Sequence, residues 1–190
     1  LDAVRLFSSL PSGPELAAIL ARVGGGPFAV LTLHRAENTD DPDRLTRLWS
    51  RVAESPWPVV FPVHPRTRAT LVRLGLAPGA IHEVEPVDYA TMLCLVRRAA
   101  LLLTDSGGLQ KESYFLGVPC LTLREETEWV ETVLAGWNRL YDLRSFPPID
   151  FPAESRRRGR TVDEYGDGHA AARIVRDLSD WLAARSPPDA

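Results

Sequence analysis

Five short apolar runs, separated by stretches of helical periodicity, organise this chain. Phe28-Ala29-Val30-Leu31-Thr32-Leu33 is the first, entered from Gly24-Gly25-Gly26-Pro27. Val59-Val60-Phe61-Pro62-Val63 is the second, and its internal proline predicts a bulge or a weakened strand. Ile81-His82-Glu83-Val84 is a weaker third run. Ala100-Leu101-Leu102-Leu103-Thr104 and Pro119-Cys120-Leu121-Thr122-Leu123 are the fourth and fifth. Between them, residues 43–52 carry Leu45, Leu48, Trp49 and Val52 at helical spacing, and residues 68–74, 89–98 and 109–116 complete the helical set. Apolar strands alternating with amphipathic helices predict a parallel sheet covered on both faces, a Rossmann-like doubly wound α/β domain. Residues 144–163, with Phe146-Pro147-Pro148, Phe151-Pro152 and Arg156-Arg157-Arg158, read as a loop whose arginines are either solvated or a weak anion patch. A last helix is predicted over about 168–184, with Ala170, Ile174, Leu178, Trp181 and Leu182 on one stripe, and Ser186-Pro187-Pro188 ends it.

The polar residues fall where this architecture binds ligands. Open parallel sheets bind beyond the carboxyl ends of their strands. The first run leads into His34-Arg35-Ala36-Glu37-Asn38 and the second into His64-Pro65-Arg66. The fourth leads into Asp105-Ser106-Gly107-Gly108 and the fifth into Arg124. Four such residues at equivalent positions are expected to converge on one sheet edge. Ser106-Gly107-Gly108 stands between a strand and a helix start, where glycines allow close approach and free N–H groups attract anions. Its spacing is neither that of a P-loop nor that of a dinucleotide fingerprint, so a tight structural turn and a phosphate site both fit. Arg35, Arg66 and Arg124 favour phosphate, because the guanidinium fork matches its oxygens. Glu112, one helical turn on, reads either as a carboxylate favoured near a helix start or as an acceptor for ribose hydroxyls. His34 reads as structural, as a phosphate donor or as an acid/base group. His82 and His169 show no partner in the sequence and read as surface residues.

Composition narrows the classes. The 190 residues are 45% hydrophobic and 25% charged, which fits a folded globular domain and excludes disorder. A net charge of −3 argues against nucleic acid as a partner. Every basic residue but Lys111 is arginine. No apolar run reaches the roughly 18 residues of a membrane span, and the first residues have neither the basic nor the apolar part of a signal peptide. A cytoplasmic protein is therefore expected. Cys94 and Cys120 lie in apolar context and read as buried free thiols, and no Cys/His spacing points to a metal.

These residues also form longer motifs. Thr104-Asp105-Ser106-Gly107-Gly108-Leu109-Gln110-Lys111-Glu112, followed by Gly117-Val118-Pro119, resembles the signature of the non-hydrolysing UDP-N-acetylglucosamine 2-epimerases. So do Leu123-Arg124-Glu125-Glu126-Thr127-Glu128-Trp129-Val130-Glu131, Ala135-Gly136, His34-Arg35-Ala36-Glu37-Asn38, Val63-His64-Pro65, Glu85-Pro86-Val87-Asp88-Tyr89 and Tyr165-Gly166-Asp167-Gly168. They run in family order from about residue 1 to 182. Many bacterial members have Thr-Glu-Arg-Pro-Glu where this chain has Thr127-Glu128-Trp129-Val130-Glu131.

The resemblance implies a GT-B architecture with the site between two Rossmann-like halves, this chain, 1–190, being the C-terminal, UDP-binding half. The helix at about 168–184 is then expected to pack toward an N-terminal half outside this sequence, and the expected partners are that half, a UDP-sugar substrate and, as a candidate, a second copy in a homodimer. It implies inversion at C2 between UDP-GlcNAc and UDP-ManNAc by elimination and re-addition of UDP, without a cofactor. By matched position, His34 is the catalytic candidate and Ser106, Gly107 and Gly108 bind the diphosphate. Glu112 binds the ribose. The segment from Pro86 through Tyr89 to Met92 meets uracil, and Arg35, His64 and Arg124 line the phosphate side. The main acidic catalytic residues belong to the other half. Two other readings remain: the nucleotide-binding half of a GT-B glycosyltransferase, and a UDP-sugar-binding module without chemistry.

Overall fold

The computed structural model describes residues 1–8 and 13–185; the tail at 186–188 lies outside the described residues. Six strands form one parallel sheet: β1 Ala29–Thr32, β2 Val59–Pro62, β3 Ile81–Val84, β4 Leu101–Thr104, β5 Cys120–Thr122 and β6 Asn138–Leu140, in the order β3-β2-β1-β4-β5-β6. The chain winds outward from β1 to β3, then returns past β1 to β4 and proceeds the other way. The α/β, doubly wound expectation is met. The reversal leaves a crevice between the carboxyl ends of β1 and β4, the general ligand position in such sheets.

Side chains along each strand alternate between two apolar layers. Ala29, Leu31, Val59, Phe61, Leu101, Leu103 and Leu121 pack with Leu45, Leu48, Trp49 and Val52 of helix α4, Pro42–Ala53. Val30, Val60, Leu102 and Cys120 pack on the other face with Leu16 and Ile19 of α2, Pro14–Val23, and Leu95 of α6, Tyr89–Arg98. Among the described residues the remaining α-helices are α1 Asp2–Ser8, α3 Ala36–Thr39, α5 Pro65–Leu74, α7 Gly107–Leu116, α8 Val130–Leu134, α9 Phe151–Ser155 and α10 Ala170–Ala183. Proline at the first helical position starts α4 and α5, where its missing N–H costs nothing. Asp41 and Asp88 cap α4 and α6 by accepting backbone N–H bonds, and left-handed Gly75 and Gly117 close α5 and α7.

Several expectations need correction. Pro62 causes no bulge: β2 is an interior strand, and Pro62 closes it in register with Val84. The stretch 144–163 is not all loop, because Asp150 caps α9 and Phe151 is buried in the first apolar layer. Its arginines are not all solvated. Arg157 turns inward, its guanidinium donating to the Cys120 carbonyl at 2.6 Å and pairing with Glu154 at 2.7 Å. His82 is a half-buried residue of β3, whereas His169 is exposed as expected, although it has a partner in Asp167 at 3.5 Å. Cys94 and Cys120 are free and buried, as their context predicts, and burial pushes the Cys120 thiol up to about 11.

The terminal helix forms as predicted, but its stripe is open: Ile174, Leu178, Trp181 and Leu182 are each more than half exposed. Its start is tied to α1, where Asp2 accepts the Ala171 N–H at 2.8 Å and Arg5 donates to the Asp167 carbonyl. Among the described residues, no helix is long and apolar enough to cross a membrane.

Candidate functional site

The loops after β1 and β4 are joined by one buried carboxylate. Asp105 is wholly buried at the end of β4. It accepts the backbone N–H of His34 at 3.0 Å, that of Arg35 at 2.9 Å and the Asn38 side-chain amide at 3.1 Å. Its Oδ1 lies 3.0 Å from His34 Nδ1. Burial alone would raise this carboxyl, but the His34 imidazole and the two N–H groups outweigh it and hold the carboxyl below its usual range. Reciprocally, the hydrogen bond to Asp105 raises the His34 imidazole above its ordinary value. His34 keeps half its side chain exposed, so Nε2 is the ring nitrogen free to meet a ligand.

A cavity of about 280 Å³ opens beside it, lined by His34, His64, Pro86, Val87, Met92, Ser106 and Leu109 among others. Val87, Met92 and Leu109 give this lining apolar surface, while the histidines and Ser106 supply polar groups. His64 caps α5, its Nδ1 accepting the Arg66 N–H at 3.2 Å. Ser106 caps α7, Oγ accepting from the Leu109 N–H at 3.5 Å. The first N–H groups of that helix, at Gly107 and Gly108, have no intrahelical acceptor and carry the positive dipole end. A Cβ at Gly107 would collide with Glu128 Oε1 and lie 3.8 Å from Arg35 Nη2. The space before this helix end is thus bounded by Gly107, Arg35 and Glu128.

Glu112 projects from the same helix and accepts the Tyr89 hydroxyl hydrogen bond at 2.8 Å. Burial first, then Glu112, pushes the Tyr89 phenol up to about 12. Tyr89 itself packs edge-on against Phe7 of α1.

His34, His64, Met92 and Ser106 therefore line one cavity, with Gly107, Gly108 and Arg35 at the adjoining helix end and Tyr89 and Glu112 joined to each other. Arg124 does not line that cavity. It is buried and pairs with Glu128 at 2.6 Å, bordering a separate depression with Glu37, Arg44 and Arg144. Arg66 is also turned elsewhere, holding both oxygens of Asp40 at 2.8 Å.

Sequence reasoning missed the supports of the site. Asp105 counted there only as a strand-end residue, and its partner Asn38 only as part of a motif. Gln110, also wholly buried, donates to the Ser106 carbonyl at 3.2 Å while accepting from Thr127 and Asn138. Trp129 donates its indole N–H to the Gly107 carbonyl at 2.6 Å, and Lys111 stacks over that indole at 4.0 Å. The sequence offered no signal for Asn38 or Gln110 beyond their place in the motifs, because their burial and partners arise only in the fold.

Comparison with known proteins adds an independent line. Residues 1–179 match the family described as UDP-N-acetylglucosamine 2-epimerase. The chain is 45% identical over 161 residues to the UDP-2,3-diacetamido-2,3-dideoxy-D-glucuronate 2-epimerase of Pseudomonas aeruginosa, covering 80% of this chain and 44% of that protein. It is 36% identical over 164 residues to the UDP-N-acetylglucosamine 2-epimerase of Methanocaldococcus jannaschii, again covering 80% and 44%. The solved structure of the latter organism's enzyme, in complex with UDP-GlcNAc and UDP, superposes with a TM-score of 0.76 at 32% identity, over 93% of this chain and 50% of that one. The chain thus spans about half the length of the relatives it matches.

Proposed function

The chain belongs to the UDP-N-acetylglucosamine 2-epimerase family, and from that premise we propose that it is the C-terminal, UDP-binding half of an enzyme that inverts C2 of a UDP-linked 2-acetamido sugar. The observation that carries this reading is the crevice at the strand reversal, where the His34–Asp105 pair faces the Ser106-Gly107-Gly108 helix start. In this reading the diphosphate sits at the start of α7 within reach of Arg35 and His64. Glu112 takes the ribose hydroxyls, exchanging its bond from Tyr89 for them. Uracil lies along the segment from Pro86 to Met92. Arg124 acts from behind, by holding Glu128.

The reaction is elimination followed by re-addition. C2 loses its proton to a base, the C1–O bond breaks with its electrons leaving on the diphosphate, and UDP then re-adds as a proton returns to the opposite face of C2. His34, kept cationic to higher pH by Asp105, suits the diphosphate side of this chemistry: it stabilises charge that develops on the departing oxygen. A base at C2 must lie within hydrogen-bond reach of that carbon's proton, and it is assigned to the N-terminal half of the parent protein. The open stripe of α10 is assigned to contact with that half.

The experiment is to incubate the intact parent protein with UDP-GlcNAc, without an acceptor, and follow the anomeric proton signals. Formation of UDP-ManNAc supports the reading. A transferase half or a binding module would give none. A second reading concerns the sugar: the Pseudomonas relative, at 45% identity, supports a diacetamido-glucuronate carried on UDP. Both readings share the same UDP site, and offering both nucleotide sugars to the parent separates them.

A further inference from the structure

We infer that Asn38 is a positioning residue for His34, acting through Asp105, and that Arg44 fixes it in that role. Nothing at the site requires Asn38 to touch a substrate. It is wholly buried, behind the His34–Asp105 pair. Its side-chain N–H₂ divides between Asp105 Oδ2 at 3.1 Å and the Leu123 carbonyl at 3.0 Å. Its Oδ1 accepts the Arg44 Nε–H at 3.0 Å. The amide orientation follows from these partners, because a flip would aim its oxygen at a carboxylate and a carbonyl and its N–H₂ at a guanidinium. One side chain thereby spans the ends of β4 and β5 and the start of α4.

The consequence falls on Asp105. Oδ2 is taken by Asn38 and by the His34 and Arg35 backbone N–H groups, which leaves Oδ1 directed at His34 Nδ1. That contact places the proton of a neutral His34 on Nδ1 and presents Nε2 to the cavity. Without Asn38, the carboxylate keeps only backbone partners on Oδ2 and gains freedom to turn, and the tautomer of His34 is no longer imposed. The charged and titratable groups around His34 are Asp105, the adjoining Arg35 and, across the cavity, His64; behind Asn38 lie Arg44 and its ion-pair partner Glu125 at 3.2 Å. The inference rests on the reading of His34 as the residue that meets the diphosphate, but its first test does not.

That test is ¹⁵N NMR of the histidine rings in this chain, at a pH above the raised His34 value so that the ring is neutral, comparing the unaltered protein with Asn38→Ala and with Arg44→Met. The expected result is that His34 carries its proton on Nδ1 in the unaltered protein, that Asn38→Ala shifts it toward the mixed tautomers of free imidazole, and that Arg44→Met produces a smaller shift of the same sign. His82 and His169 should keep their resonances, which reports intact folding. If Asn38→Ala does not fold, Arg44→Met alone decides. An unchanged His34 tautomer in the folded variants overturns the proposal. The same substitutions in the parent protein should lower kcat while leaving KM for the UDP-sugar nearly unchanged. A tautomer shift with kcat intact would uphold the positioning and refute the catalytic reading of His34.

Discussion

Replacing Gly107 by alanine separates the fold from the site. The position is the first residue of α7, with ordinary helical backbone, so the substitution meets no conformational strain. Alanine is favoured over glycine by up to about 1 kcal/mol inside a helix. Against this, the new methyl must displace Glu128 Oε1, the end of a flexible side chain that is nearly half exposed. The ion pair it shares with Arg124 is loosened, and a partly exposed pair of this kind is worth about 0–1 kcal/mol. The two effects offset, leaving stability within about 1 kcal/mol, or roughly 2–4 °C in Tm for a domain of this size. Binding should respond differently. The methyl enters the space between the α7 start and Arg35, where the diphosphate is proposed to lie, so UDP affinity should fall at least tenfold, about 1.4 kcal/mol. Thermal unfolding and calorimetric titration check the two halves of the argument. Unchanged UDP affinity in a folded variant would remove the diphosphate from this helix end. A large loss of Tm would show that Gly107 is needed by the fold itself.

Other outcomes follow from the same geometry. Glu112→Ala should weaken UDP by about 1.5–3 kcal/mol, the range for hydrogen bonds to a charged group, and should abolish discrimination between UDP and its 2′-deoxy analogue; both are read by titration. UDP affinity should decline as pH rises through the raised pKa of His34, because the cationic form binds the anion, and His34→Gln should flatten that profile. The pair's contribution to stability has a matching window. The part due to His34 is complete below the ordinary histidine value and is lost as pH climbs through the raised one. The part due to Asp105 is complete above the ordinary aspartate value and is lost as pH falls through the lowered one. Urea unfolding across pH reads both limits. The chain alone should not exchange the C2 proton of UDP-GlcNAc in D₂O; steady deuterium incorporation above a protein-free control would place the complete apparatus within these 190 residues.

Five strands and the helix alternation were legible in the sequence, β1, β2, β4 and β5 because each is a largely apolar run and β3 from Ile81 and Val84 at its two ends. β6 was not, since Asn138-Arg139-Leu140 is short and lies at the sheet edge, where its buried asparagine serves a polar network. Helix α9 was hidden by the prolines around it, although Asp150 before Pro152 is a cap signal. Helix α2 carries Leu16, Ile19 and Val23 at helical spacing, a pattern that was readable and not read. At the site, the strand-end rule brought out His34, His64 and Ser106 but overreached at Arg124 and Arg66. Strand ends share an edge, yet a long guanidinium goes where a carboxylate is, and Glu128 and Asp40 take these two. The roles of Asp105 and Asn38 needed the fold, because the donors to Asp105 and the acceptors of the Asn38 amide lie 67 to 85 residues away in the chain.

Calorimetric titration of the chain with UDP, beside N-acetylglucosamine as the control ligand, decides whether these residues form a UDP site. Saturable one-to-one binding of UDP is expected, weaker in Gly107→Ala and in Glu112→Ala, with no binding of the free sugar. Tighter binding of N-acetylglucosamine than of UDP, or no binding of UDP at all by the folded chain, would contradict the UDP site.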